Sequence, residues 1–306
     1  MQTDTLEPRE QSEWSLVRTP SRVIRVALVQ RESTLGTEGN DPRPANLATA
    51  LAAIEQAAGE GANLIVFGEM FLTGYRTDEW LHRWASVIEP PGPELQVLVN
   101  EARRHDVHLI VGLASFEPTV PGDIYNSAVF IGPRGLIGTY RKTHVAAFSL
   151  LDQIAMERCF YSPGNALPVF DSDIGRVGIQ ICYDLSFPEV SRVQTLMGAD
   201  LLVNISGSAG DASGEEYWDH FAFTRASENA IWFVNCSVVG TQRGDRLFGG
   251  SRVHAPDGRT VAKAKVDEED TLVVDIDLDA VRTERAMSHI LSTRNPAIYK
   301  PLVEPL

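Results

Sequence analysis

Three residues able to act on a carbonyl-type carbon each stand just past an apolar run of strand length. Glu69 follows the run 63–67 (NLIVF), Lys142 follows 136–141 (LIGTYR) and Cys182 follows 176–181 (RVGIQI). A carboxylate can take a thiol proton, a thiolate can attack carbon, and an ammonium can hold the oxyanion that forms. Singly, each has a plainer account: a solvated glutamate, a lysine facing water, a cysteine used as a small core hydrophobe. Placed alike, they can converge, because reactive groups in α/β sheets collect outside the carboxyl ends of the strands. The cysteine segment, GRVGIQICYDLSFPE over 175–189, carries the most information. Its β-prone run ends at Cys182, and a helix is expected to open at 187–189, with Ser186 as N-cap and Pro188 in the first turn. Backbone N–H groups at a helix start can stabilise a thiolate or an adjacent oxyanion.

The elements that must position these residues alternate along the chain. Strands are expected at 22–30, 63–67, 108–115, 176–181, 200–206, 231–238 and 271–276, and helices at 44–61, 93–104, 216–230 and 279–285. The segments 125–131 and 136–141 flank the turn Pro133-Arg134-Gly135 and read as a hairpin. A second pair, 246–255 and 260–263, flanks Pro256-Asp257-Gly258. This order argues a single α/β domain, a sheet covered by helices on one face and by a different layer on the other. Residues 1–20 read as an N-terminal extension, 21–285 as the domain, and 286–306 as a tail available for oligomer contacts.

The bulk properties narrow the function class. The chain has 306 residues, 43% of them hydrophobic, ample for a large core. A net charge of −14 without a basic block argues against nucleic acid as a partner. Three cysteines (Cys159, Cys182 and Cys236) form no disulfide or zinc pattern, which fits a reducing cytoplasm. No run approaches the ~20 apolar residues needed to cross a bilayer, and the polar N-terminus has no signal-peptide core. Neither a cofactor motif nor a metal site is expected. His105 and His108 lack a third ligand motif, and no G-x-G-x-x-G or P-loop occurs.

Taken together and in order, the motifs GEMFLTGY around Glu69, YRKTHV around Lys142 and ICYDLSFPE around Cys182 are specific. The chain resembles the nitrilase superfamily of carbon–nitrogen hydrolases. YNSAVFIGPRG, SPGN at 162–165, WDHFAFTRASEN and FGGSRVHAPDG strengthen the resemblance. It implies an αββα four-layer sandwich, dimeric or more highly oligomeric. It also implies Glu69 as general base, Lys142 as oxyanion-stabilising lysine, Cys182 as nucleophile and the Tyr183 backbone N–H as second oxyanion donor. Glu157 matches the family's second glutamate, which orients the lysine and the substrate.

The expected reaction is hydrolysis of a small amide to acid and ammonia through a cysteine thioester. N-carbamoyl hydrolysis, nitrile hydrolysis and a non-catalytic scaffold of the same fold are the alternatives. A papain-like enzyme would need a histidine paired with the cysteine; His144 is the near candidate and is read as supporting. Nitrile-cleaving members usually carry Cys-Trp-Glu, whereas Cys182-Tyr183-Asp184 resembles the amidase and carbamoylase side. Relatives acting on carboxylated substrates often have C-Y-D-L-R-F-P-E, and here Ser186 replaces the arginine, which favours a neutral amide. Tyr75, Phe71, Ser186, Trp218 and Phe248 are the expected substrate contacts.

Overall fold

The computed structural model describes residues 22–150, 153–210 and 212–304. The expected extension over 1–20 lies outside the described residues. Two sheets form the centre. In the first, the strands run Asp270–Asp277, Val23–Gln30, Leu64–Phe67, His108–Glu117, Val120–Gly132 and Gly135–Arg141 in spatial order, with Ser86–Val87 beside His108–Glu117. In the second, the order is Thr260–Lys263, Arg252–His254, Trp232–Ser237, Leu201–Ser206, Gly175–Ile181 and Val169–Ser172. Each sheet has a parallel centre: Leu64–Phe67 between Val23–Gln30 and His108–Glu117, and Leu201–Ser206 between Gly175–Ile181 and Trp232–Ser237. Strands covered on both faces explain the near-continuous apolar runs in the sequence.

The period-two alternation assigns each side chain a layer. Val26, Leu28, Leu64 and Val66 join Ile179, Ile181, Val203 and Val234 in the core between the sheets. Ala27, Val29, Ile65 and Phe67 face the other way, onto Ile54 of the helix Arg43–Gly59 and Leu95 and Leu98 of the helix Pro93–His105. The helices Pro188–Leu196 and Ala212–Asn229 cover the second sheet. The result is the four-layer αββα sandwich, and the unspecified layer of the sequence reading is a second sheet.

Two local expectations are corrected. The segment 246–255 is not one strand. Gly249 and Gly250 have φ of 70° and 65°, a left-handed break that few side chains tolerate. Asp245–Phe248 therefore folds back on Val239–Gln242, while Arg252–His254 joins the second sheet. The helix Pro188–Leu196 is capped by Phe187, not Ser186, because Cys182–Ser186 already forms a 3-10 turn. The helix expected at 279–285 is found at Ala280–Ser288, and the tail beyond it, described as far as Glu304, carries two 3-10 turns, Pro296–Ile298 and Lys300–Leu302.

Candidate active site

Glu69, Lys142 and Cys182 converge where the two sheets meet at their strand ends. Glycine makes the approach possible. A Cβ on Gly68 would lie 2.6 Å from the Val238 nitrogen and 3.1 Å from the Ser206 oxygen, both on the second sheet's side. With no side chain there, the Glu69 N–H reaches Ser206 O at 3.3 Å. Its carboxylate is then held on both oxygens. Oε2 accepts from Gly207 N at 2.9 Å, and Oε1 from Asn126 Nδ2 at 2.7 Å and Lys142 Nζ at 3.0 Å.

Glu157 occupies the other side of the ammonium. Lys142 Nζ donates to its Oε2 at 2.8 Å and Oε1 at 3.1 Å, while Ala146 N and Asn126 Nδ2 complete its shell at 2.8 Å each. All three ionic side chains are at most 1% exposed. Burial opposes the lysine's charge, but the carboxylates of Glu157 and Glu69 outweigh it and push the Lys142 pKa well above the ordinary value. Burying such a cluster contributes little net stability, so its retention points to chemistry.

Cys182 sits in the left-handed region, φ 48°, at the first residue after its strand. A non-glycine residue held there is strained, a condition that clusters at functional sites. The Glu69 carboxylate is close enough to act on its thiol. Burial first, then the Glu69 charge, push the thiol well above its ordinary pKa, with Lys142 opposing. The resting cysteine is therefore a neutral thiol beside a proton acceptor. The other cysteines have no such setting. Cys159 is exposed, and Cys236 is a core residue whose Sγ donates to Val66 O at 3.1 Å and whose pKa burial raises to about 12.

One buried carboxylate joins the cysteine turn to the lysine segment. Asp184, fully buried, accepts from Ile181 N (3.1 Å) and Tyr140 OH (2.7 Å) through Oδ2. Its Oδ1 accepts from Thr143 Oγ1 (2.9 Å) and His144 N (3.0 Å), and His144 Nδ1 lies 2.9 Å away. From the covering helix, Arg225 Nε donates to Leu185 O at 3.0 Å and fixes the turn from outside. His144 stacks on Phe187 at 3.7 Å between ring centroids, a supporting position with no contact to the thiol among its described bonds.

The four groups open into a cavity of about 380 Å³, small but within the range of ligand sites. Tyr75, Trp218 and Leu247 give it apolar wall, and Thr77, Ser208, Gln242 and Arg243 give it polar edge.

Comparison with known proteins gives the family. The family profile described as carbon-nitrogen hydrolase matches residues 25–286. The chain belongs to the carbon–nitrogen hydrolase family. A nitrilase from Pyrococcus abyssi is 35% identical over 251 residues, 80% of this chain and 89% of that protein. An (R)-stereoselective amidase from a Pseudomonas species is 34% identical over 242 residues, 78% and 82% of the two chains. Among solved structures, a Saccharomyces cerevisiae member of branch 10 of the nitrilase superfamily superimposes with a TM-score of 0.76 at 27% identity, covering 90% of this chain and 96% of that one. As a carbon–nitrogen hydrolase, the protein is an enzyme acting on bonds other than peptide bonds. Among the described residues, no helix is long and apolar enough to cross a membrane.

Of the expected substrate contacts, Tyr75 and Trp218 line the carbon–nitrogen hydrolase's cavity, as does Tyr183, expected as the oxyanion donor. Phe71, Phe248 and Ser186 do not. Phe71 is fully buried against Phe67, 4.9 Å between ring centroids, beneath the helices of the first sheet. Phe248 is also core, 1% exposed. The Ser186 hydroxyl is buried within the protein rather than presented to the cavity, so the neutral-amide expectation built on that position loses its footing. Asn126, Asp184, Gly207 and Arg243 were not assigned roles from sequence. Asn126 lies inside the quoted motif YNSAVFIGPRG, and Asp184 directly follows Cys182-Tyr183, so the signals were present without a partner to interpret them.

The Asp184 network makes a prediction. In Asp184→Asn, the new amide must turn N–H groups toward donors that now face a carboxylate. Denaturant titration is expected to show a loss of about 3 to 5 kcal/mol, with turnover reduced as the cysteine turn and the lysine segment loosen. Unchanged stability would show that these contacts do not hold the site.

Proposed function

We propose that this carbon–nitrogen hydrolase cleaves the C–N bond of a small amide through a thioester on Cys182, with ammonia leaving before the acid. The observation that carries the proposal is that Cys182 shares one cavity with a buried carboxylate, Glu69, that also binds the Lys142 ammonium at 3.0 Å. As Sγ attacks the carbonyl carbon, its proton passes to Glu69 and the carbonyl π electrons move to oxygen. The Lys142 ammonium and the Tyr183 backbone N–H hold that oxyanion. Collapse breaks the C–N bond, and the proton on Glu69 goes to the departing nitrogen. Glu69 then takes a proton from water as the water attacks the thioester, and returns it to sulfur as the acid leaves. Glu157 is a positioning residue, holding Nζ where the oxyanion forms.

Relatives named as amidases, including the Pseudomonas enzyme and an omega-amidase of Danio rerio at 30% identity, support an amide. Cys182-Tyr183-Asp184 supports it as well. The Pyrococcus relative named as a nitrilase keeps nitriles on the substrate panel. The test is diversion of the acyl group. Hydroxylamine added during turnover is expected to yield hydroxamate at the expense of acid, and intact mass during slow turnover should show an acyl adduct on the Cys182 peptide. Confirmed turnover with neither adduct nor hydroxamate would indicate direct attack by water, and no ammonia release from amides, N-carbamoyl compounds or nitriles would favour a non-catalytic role.

A further inference from the structure

The two ends of the cavity differ in charge. On its floor, Lys142 is spent between Glu69 and Glu157, 3.0 and 2.8 Å away, and with a neutral thiol this end is net negative. At the rim, the strands Val239–Gln242 and Asp245–Phe248 are joined through Arg243 and Gly244, both left-handed at φ 54° and 85°. Among the described residues lining the cavity, Lys142 and Arg243 are the cations.

Arg243 is fixed in place but not neutralised. Its Nη1 donates to Thr77 Oγ1 at 2.6 Å, and its Cζ lies 4.7 Å over the Tyr75 ring. The carboxylate facing it, Asp245, is 3.8 Å from Nη2 and 57% exposed, while Arg243 itself keeps 35% of its side chain exposed. A pair of that length and exposure contributes little, so the guanidinium fork remains able to take a second carboxylate. Tyr75 connects rim to floor. Its phenol is buried near Glu157, Lys142, Glu69 and Cys182, and burial followed by the Glu157 charge raises its pKa well above the ordinary value. One tyrosine thus spans the interval between guanidinium and thiol.

We propose that Arg243 determines substrate choice by binding an anionic group, a carboxylate in the first instance, at the end of the substrate remote from the scissile amide. The inference rests on the amide-hydrolase reading above. The charge gradient supplies the orientation: the acidic floor repels a carboxylate and accepts the uncharged amide, while Arg243 holds the anionic end. Two N–H donors on one planar group also suit a carboxylate better than an alcohol or an amide oxygen.

The test compares succinamate with butyramide, which differ in the far carboxylate. In Arg243→Ala the ratio of their kcat/KM values is expected to fall about ten- to a hundred-fold, the worth of a charge-assisted hydrogen bond. The fall should come mainly through KM for succinamate, and Arg243→Lys should keep part of the preference. A ratio unchanged in active Arg243→Ala, or a wild type that prefers butyramide, would overturn the proposal. A second arm needs no turnover. Calorimetric binding of succinamate to Cys182→Ala is expected to weaken by the same factor when Arg243→Gln is added, and equal binding counts against Arg243 even if the chemistry proves different. Inactivity of the wild type on all amides, with succinamate still bound through Arg243, would defeat the reaction and leave the recognition standing.

Discussion

Replacing Cys182 with alanine is expected to abolish ammonia release while leaving the fold and its melting transition in place. The expected loss is about 10⁴- to 10⁶-fold, the scale seen when a covalent nucleophile is removed. The fold should survive because the side chain lost is small and half-buried, and because the turn is held by Asp184 and Arg225 rather than by sulfur. Cys182→Ser should be nearly as inactive. A hydroxyl is far harder to ionise than a thiol, and Glu69 would face a much larger pKa gap in taking its proton. Cys159→Ala is the control, since that thiol is exposed and outside the cavity. Cys182→Ala turning over at more than a hundredth of the wild-type rate would remove the thioester from the mechanism.

The parts of this site legible in sequence were those that local pattern determines. Glu69, Lys142 and Cys182 each follow an apolar run, and the strands Leu64–Phe67, Gly135–Arg141 and Gly175–Ile181 end within two residues of them. Whether those ends meet is a question of sheet pairing, and the resemblance rather than the periodicity implied two stacked sheets. Partners fixed by long-range register were not legible. Asn126 reaches Glu69 across 57 positions of sequence and Asp184 reaches His144 across 40. Arg243 contacts Thr77 across 166. Phe71 was misplaced for a related reason. After a strand, FLTGY shows no period that distinguishes a residue turned under the helices from one turned into the cavity, and Tyr75 lines the cavity while Phe71 fills core. The hairpin that carries Arg243 was hidden because 246–255 looks continuous unless Gly249-Gly250 is given its left-handed conformation.

Glu69→Gln separates proton transfer from simple charge. Every described neighbour of the Glu69 oxygens is a donor: Gly207 N–H, the Asn126 amide and the Lys142 ammonium. A glutamine must turn its own N–H₂ toward one of them, and it cannot take a proton from sulfur. Turnover is expected to fall about 10²- to 10⁴-fold, the usual worth of a positioned base. Thiol reactivity should move the opposite way. The Glu69 charge helps to keep the Cys182 pKa high, and Lys142 acts to lower it. With the negative charge removed, burial still holds the thiol up, but the thiolate should form at lower pH than in the wild type. Alkylation by iodoacetamide, followed against pH, is expected to begin earlier in Glu69→Gln even as catalysis collapses. A more easily ionised cysteine in a nearly inactive enzyme would mean that the missing function is delivery of the proton to nitrogen and its removal from water, not formation of the thiolate alone. An alkylation profile unchanged from wild type, together with turnover within tenfold of it, would show that Glu69 neither senses the thiol nor serves as its base, and Glu157 would become the residue to test in that role.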